Sequence, residues 1–356
     1  MHKTNIAIIY GGRSVEHQIS IRSARNIAEN INRELFHPVL IGITMEGNWF
    51  LTDTVSREIS EGLALKLNLN IEAKELIDAS GISHAIDIAF PVLHGTDGED
   101  GSVQGLLKVL NIPCVGSDVL GSAISMNKLV SKQLLKHAGI PVGNFIGIYK
   151  DRHYDVNKII TDLGIPLVVK PSSLGSSVGV GIAKRADQVE SMIQDAFQYD
   201  YSIILEEYIQ GREIECAIIG NENPQASLPG EIVVSEKYEF YSYDAKYVDP
   251  FAARLDIPAK MKPEIQKKIQ QTCLEAYRTL NCCDYARVDL FLTKKGEIFI
   301  NEINTIPGFT NSSMFPKMWE HMGIPYSEII TKLIELAMGR QKKGNELNRI
   351  YNSNLE

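Results

Sequence analysis

Carboxylates seldom interrupt apolar strands, and this chain has two such interruptions close together. In ARVDLF (286–291), Arg287 and Asp289 stand two residues apart, so both side chains leave the same face of a strand. IFINEINTIPG (298–308) repeats that spacing with Glu302 and Asn304. Paired as a hairpin, Asp289, Glu302 and Asn304 offer hard oxygen donors on one face. Mg2+ takes such donors, with water and substrate phosphate oxygens filling its octahedron. A solvated polar face is the plainer alternative. It fits poorly with the apolar residues on either side, because a buried carboxylate needs a partner.

Three further groups could do chemistry. Lys170 ends the run IPLVVK immediately before the Ser- and Gly-rich turn KPSSLGSSVG (170–179), and Lys128 lies on a preceding helix. Lysines beside a donor-rich turn suit phosphate, held by point charges and backbone N–H groups. Neither GxxxxGK[ST] nor GxGxxG occurs, so a Walker loop or a dinucleotide fingerprint does not account for them. Taken singly, each lysine also reads as a surface residue. HGTDGEDG (94–101) falls between an apolar run and a helical one, where a turn can present N–H groups to an anion. A plain strand-to-helix turn would read the same way. Glu16, in SVEHQIS, either complements a helix N-terminus or binds an ammonium group.

The elements that must position these residues alternate in kind. NIAIIY (5–10), PVLIGI (38–43) and IDIAFPVL (86–93) are apolar strands, with a helical face of Ala24, Ile27, Ala28 and Ile31 between the first two. A helix over about 102–110 and a strand over 112–115 follow. This pattern predicts a mostly parallel sheet covered on both faces, with ligands beyond the carboxyl ends of its strands. A second unit begins with one amphipathic helix over 119–138, then strands near 144–148, 165–171, 178–184 and 202–207 and a helix near 186–198. A third has strands near 213–219 and 230–235, a polar aromatic loop at 236–250, a helix at 262–280, the carboxylate hairpin and helices over 315–338. From Gln341 onward the tail is polar and reads as frayed.

The chain's 356 residues exceed what one simple core accommodates. Its 44% hydrophobic and 22% charged residues describe an ordinary globular protein. The net charge of −8 argues against a general nucleic-acid binder. No run is long enough for a signal peptide or a membrane span. Five cysteines without a CxxC read as reduced thiols in a cytoplasmic protein.

Laid in order, these motifs resemble the D-alanine–D-alanine ligases. HGTDGEDGSVQG (94–105) is similar to that family's N-terminal signature, and residues 280–308 to its C-terminal one. GGRSVEHQIS, KPSSLGSSVGV, EEYIQGREIE and YDAKY stand in the family's order, and the likeness covers about 4–340. One departure is Asp284, where the family usually has Gly. The resemblance implies an α/β, three-domain ATP-grasp architecture. It comprises a parallel-sheet N-terminal domain (1–117), a central ATP-grasp domain (118–207), a C-terminal one with the metal site (208–341) and a polar tail (342–356).

By the same resemblance, Lys128 and Lys170 contact the ATP phosphates. Glu206, Glu207 and Ile209 belong to the hinge against adenine, and Glu213 holds the ribose. Asp289, Glu302 and Asn304 bind two Mg2+ (or Mn2+). Glu16 binds the ammonium of the first D-alanine, with His94 nearby. Arg287 and the Gly308 N–H stabilise the tetrahedral intermediate. Lys246, Ser313 and Met314 meet the second amino acid. Ser176 and Tyr247 join Glu16 in a link closing the loop 236–250. The implied reaction joins two D-alanines through an acyl phosphate, for peptidoglycan precursors, in a cytoplasmic homodimer.

Three other readings compete. A ligase of the same fold would make D-Ala–D-Ser or D-Ala–D-lactate, but Met314 offers an apolar wall with nothing to bond a serine hydroxyl. Another ATP-grasp enzyme would share the metal hairpin and lack HGTDGEDG and YDAKY. A nucleotide sensor without catalysis would not need the intact lysine, arginine and carboxylate set.

Overall fold

The computed structural model describes residues 3–67, 74–235, 237–238, 249 and 252–348. Its strands form three sheets. β1 (Thr4–Gly11) lies second from one edge of the first, flanked in parallel by β2 (Phe36–Ile43) and β7 (Ile88–Pro91). The continuous apolar run of β1 has a packing reason. Ile6, Ile8 and Tyr10 enter one core with α1 (His17–Asn30), while Ala7 and Ile9 enter another with Val103 and Leu107 of α2 (Ser102–Val109).

Beyond β2 the expectation of a parallel sheet fails. β3 (Trp49–Thr52), β4 (Leu63–Leu67), β5 (Glu75–Asp78) and β6 (Ser83–Ala85) follow as antiparallel neighbours, so the sheet is mixed. These strands are short and half-exposed, and their weak alternation hid them in the sequence. Residues 112–115 form only a single parallel bridge, Ala89 to Cys114.

The expected helix over 119–138 is two helices, α3 (Val119–Met126) and α4 (Lys128–His137). Asn127 breaks them with extended φ/ψ of −84° and 101°, and its side chain accepts a hydrogen bond from Val130 N. Asn is a preferred helix N-cap, so the break sets Lys128 at the first position of a new helix.

The second sheet has the order β10-β9-β11-β8: β8 (Phe145–Tyr149), β9 (Leu167–Pro171), β10 (Gly181–Ala183) and β11 (Ser202–Glu207). α5 (Val156–Leu163) and α6 (Val189–Ala196) pack on it, and its core draws on no residue outside 146–205. The third sheet contains β12 (Gly211–Ile219), β13 (Gln225–Ala226), β14 (Gly230–Val234), β15 (Ala253–Asp256), β16 (Tyr285–Thr293) and β17 (Ile298–Asn304). α7 (Pro263–Thr279) covers one face. α8 (Met314–His321) and α9 (Tyr326–Asn345) lie between the other face and the first sheet, so Leu333 shares a core with Ile8 and Phe315. The last helix thus runs past Gln341, where a frayed tail was expected.

Asp284 now has a physical account. Its φ of +60° is the left-handed conformation that favours glycine, which explains why Gly is usual there. The aspartate is fully buried, and its carboxylate accepts from Gly116 N (2.9 Å), Asn221 Nδ2 (2.9 Å) and Arg340 Nη2 (2.9 Å). It therefore pins the first unit to the third and to α9.

Candidate active site

A cleft of about 1030 Å3 opens between the three sheets, and every candidate among the described residues lines it. Tyr247 and Lys246 lie outside the described residues, as does most of the loop 236–250.

At one end sits Glu16, buried just ahead of α1. Its Oε1 accepts from Ser176 Oγ, while Oε2 is buried and has no hydrogen-bond partner among the described residues. Gly95 and Gly175 crowd that oxygen, since a Cβ on either would lie 2.8 Å from it. A buried carboxylate oxygen so confined calls for a small cationic donor. His94 stands alongside. Its Nδ1 donates to Ile306 O (3.0 Å), Nε2 meets Ser23 Oγ (3.2 Å), and Glu99 Oε1 is 3.7 Å away. Burial pushes His94 down, but Glu99 and Glu16 outweigh it and hold the imidazole above its ordinary range. Burial and Glu16 together raise Glu99, against the opposing pull of His94.

The hairpin β16–β17 forms the opposite wall. Asp289 pairs with Glu302, and Arg287 with Asn304. Arg287 donates in a fork to Asp289, 2.7 Å from each oxygen, and its Nε is 3.1 Å from Glu215 Oε2. Burial alone would depress the guanidinium, yet Asp289 and Glu215 hold it well above its ordinary value. Asn304 Nδ2 donates to Asp289 Oδ2 (2.9 Å), and Lys128 Nζ lies 3.3 Å from Glu302 Oε2. A register shift between Asp289 and Leu290 marks a bulge in this pair. Burial along β17 changes phase there: Ile298, Ile300 and Ile303 face the core, whereas Phe299, Asn301, Glu302 and Asn304 do not.

These oxygens fit Mg2+ in type. Among the described residues no set of three His, Cys, Asp or Glu is arranged to hold a metal.

The nucleotide-side candidates divide. Lys128 Nζ donates to Leu174 O (2.8 Å), inside the Ser- and Gly-rich turn. Lys170 Nζ is 3.1 Å from Glu206 Oε2. The Glu206 and Glu207 side chains are already engaged by the protein. Glu206 is buried between Lys132 and Lys170, and Glu207 grips Asn144 through N (2.8 Å) and Nδ2 (3.0 Å). Ile209 packs against Gly143, while Glu213, on β12, lines the cleft. Near Gly308, Ser313 Oγ accepts from Thr310 N (2.9 Å), and Met314 is buried against Gly230.

Sequence reasoning passed over Lys132, Glu215, Asn301 and Glu99. Two had a signal. Lys132 follows Lys128 by one helical turn, and Glu215 follows Glu213 on one strand face. The bulge that puts Asn301 and Glu302 on one face had none.

Comparison with known proteins agrees with this geometry. Three sheets clasping a cleft lined with lysines and carboxylates define an ATP-grasp ligase. Residues 5–117 match the family model for the D-ala D-ala ligase N-terminus, and 134–335 that for the C-terminus. The chain belongs to the D-alanine–D-alanine ligase family, whose members are ATP-dependent and use Mg2+. It is 44% identical to D-alanine–D-alanine ligase A of Escherichia coli K12 over 98% of this chain and 99% of that one. A D-alanine–D-alanine ligase structure from Coxiella burnetii superposes with a TM-score of 0.87 at 35% identity, covering 97% of each chain. The VanG D-Ala:D-Ser ligase of Enterococcus faecalis gives 0.86 at 34% identity, covering 94% of this chain and all of that one. Fold alone therefore does not choose the second amino acid.

Proposed function

We propose that the chain joins two D-alanines, using one ATP, and that the roles implied by its motifs fall on the cleft residues described above. The observation that carries this reading is the Glu16 Oε2 atom, buried, without a partner among the described residues and confined by two glycines. It suits an amino acid's ammonium, in the same cleft as two lysines suited to phosphates.

In this reading Glu16 fixes the first D-alanine by its ammonium. The carboxylate of that D-alanine attacks the γ-phosphorus, ADP leaves, and an acyl phosphate results. Lys128 and Lys170 hold the phosphates in line. Bound Mg2+ would disperse the phosphate charge, with Asp289, Glu302 and Asn304 as its protein donors. The amine of the second D-alanine then attacks the acyl carbon, and phosphate departs. Arg287 spends Nε and Nη2 on Asp289, which leaves Nη1 to meet the oxyanion beside the Gly308 N–H. Ser313 and Met314 border the second amino acid, and Met314 offers no partner for a serine hydroxyl. The turn carrying Ser176, with Lys246 and Tyr247 of the loop 236–250, excludes water that would hydrolyse the acyl phosphate.

The units 1–117, 118–207 and 208–341 would then serve the first D-alanine, the nucleotide and the metal. A cytoplasmic homodimer is part of the proposal. Free cysteines and an ATP requirement support the compartment, and among the described residues no helix is long and apolar enough to cross a membrane. The test is product analysis with D-alanine alone and with added D-serine or D-lactate. The dipeptide should form from D-alanine alone. ADP release only when D-serine or D-lactate is present would refute the assignment of the second site.

A further inference from the structure

Lys132 is among the most buried residues in the chain, 1% exposed, yet it does not line the cleft. Burying an ammonium is costly unless a partner compensates. Its Nζ is 3.2 Å from Glu206 Oε1, as an ion pair, and 3.5 Å from Ile300 O. The other Glu206 oxygen faces Lys170 Nζ at 3.1 Å. Lys170 in turn donates to Asn301 Oδ1 at 3.2 Å. One carboxylate therefore serves two ammonium groups, and this trio keeps an excess positive charge at the cleft. Asn301 follows Phe299 in the regular alternation of β17, and the bulge after it brings Glu302 to the same side, so two successive side chains face the lysines. Among the described residues the Asn301 amide nitrogen has no hydrogen-bond acceptor, and it can donate into the cleft that Asn301 lines.

We propose that Lys132 and Asn301 are positioning residues for the nucleotide. Asn301 fixes the Lys170 ammonium directly. Lys132 occupies half of Glu206, so the carboxylate neither neutralises Lys170 nor draws it back from the phosphates. The inference rests on the reading of this cleft as an ATP site.

The test uses the full-length protein with MgADP as the probe, in calorimetric titrations that need no turnover. Asn301→Leu and Lys132→Met should each weaken MgADP about tenfold, the size of one charge-assisted hydrogen bond. KM for ATP should rise in step, and KM for D-alanine should not change. Lys132→Arg should recover most of the loss. Asn301 is not in the core, so Asn301→Leu keeps the test decisive even where Lys132→Met fails to fold. Wild-type affinity in folded Asn301→Leu would overturn the proposal, as would equal rises in KM for ATP and D-alanine. MgADP binding without D-alanine-dependent turnover in the wild type would sink the ligase reading alone. No MgADP binding by the wild type would sink both.

Discussion

Glu16→Gln isolates the proposed ammonium site with little change of shape. Glutamine keeps the outline of the side chain, so the contacts with Gly95 and Gly175 survive. Its carbonyl oxygen can still accept from Ser176 Oγ, which fixes the amide nitrogen where Oε2 now lies. An incoming ammonium then meets a donor instead of an anionic acceptor. Losing a hydrogen bond to a charged partner costs about 1.5–3 kcal/mol, or roughly 10- to 150-fold in kcat/KM for the first D-alanine. The assay is ADP release at varied D-alanine and saturating ATP, with MgADP affinity measured separately. That affinity should stay at the wild-type value, because the Lys170 network does not include Glu16. A kcat/KM for D-alanine within about threefold of wild type would refute the reasoning. So would a loss of MgADP affinity that matches the loss in kcat/KM.

Three other outcomes are expected. Glu302→Gln removes one of the two carboxylates of the proposed metal site and frees Lys128 of its ion pair, so Mg2+-dependent turnover should collapse while the unfolding temperature changes little; retained turnover would show that the metal is held elsewhere. Asp284→Gly leaves the Arg340 guanidinium without its acid, a loss of about 3–5 kcal/mol for a broken buried pair against roughly 1–2 kcal/mol regained from the left-handed backbone. Calorimetry should show unfolding several degrees lower, and an unchanged midpoint would mean that the pin carries no stability. His94 titrates above its ordinary value near 6.5. The stability it contributes is therefore full below that value and is lost as pH rises through the raised folded value. The difference in unfolding temperature between wild type and His94→Gln should narrow as pH is raised from about 6 to about 9; a constant or widening difference would contradict the ion pair with Glu99.

Much of the site was legible because its chemistry breaks a pattern. Asp289 and Glu302 stood out against apolar strands, and the KPSSLGSSVG turn stood out by composition. What escaped depends on geometry that composition does not encode. Asn301 drew no notice because the bulge that sets it beside Glu302 leaves no mark in the sequence. Lys132 drew none because nothing local announces a partner at Glu206. The first sheet was misjudged for a similar reason. Its parallel end is written in uninterrupted apolar runs, but the strands of its antiparallel end are short, half-exposed and spelled in mixed residues. The division of 119–138 into two helices was readable in principle, from an asparagine directly before the lysine that opens the second.

The core that joins the first and third units has a mechanical consequence. Ile6, Ile8 and Phe90 of the first sheet pack with Tyr285, Phe315 and Leu333, and the Asp284–Arg340 pair seals the same junction. The sheet of β8 to β11 has a core of its own, and Glu207 clasps Asn144 where the chain enters and leaves it. The walls that carry Glu16 and Asp289 are therefore held together by one core, whereas the β8–β11 sheet keeps a core to itself and meets them through polar links such as Lys170 to Asn301. A nucleotide and an amino acid held in this cleft as proposed would both lie under the one turn that carries Ser176.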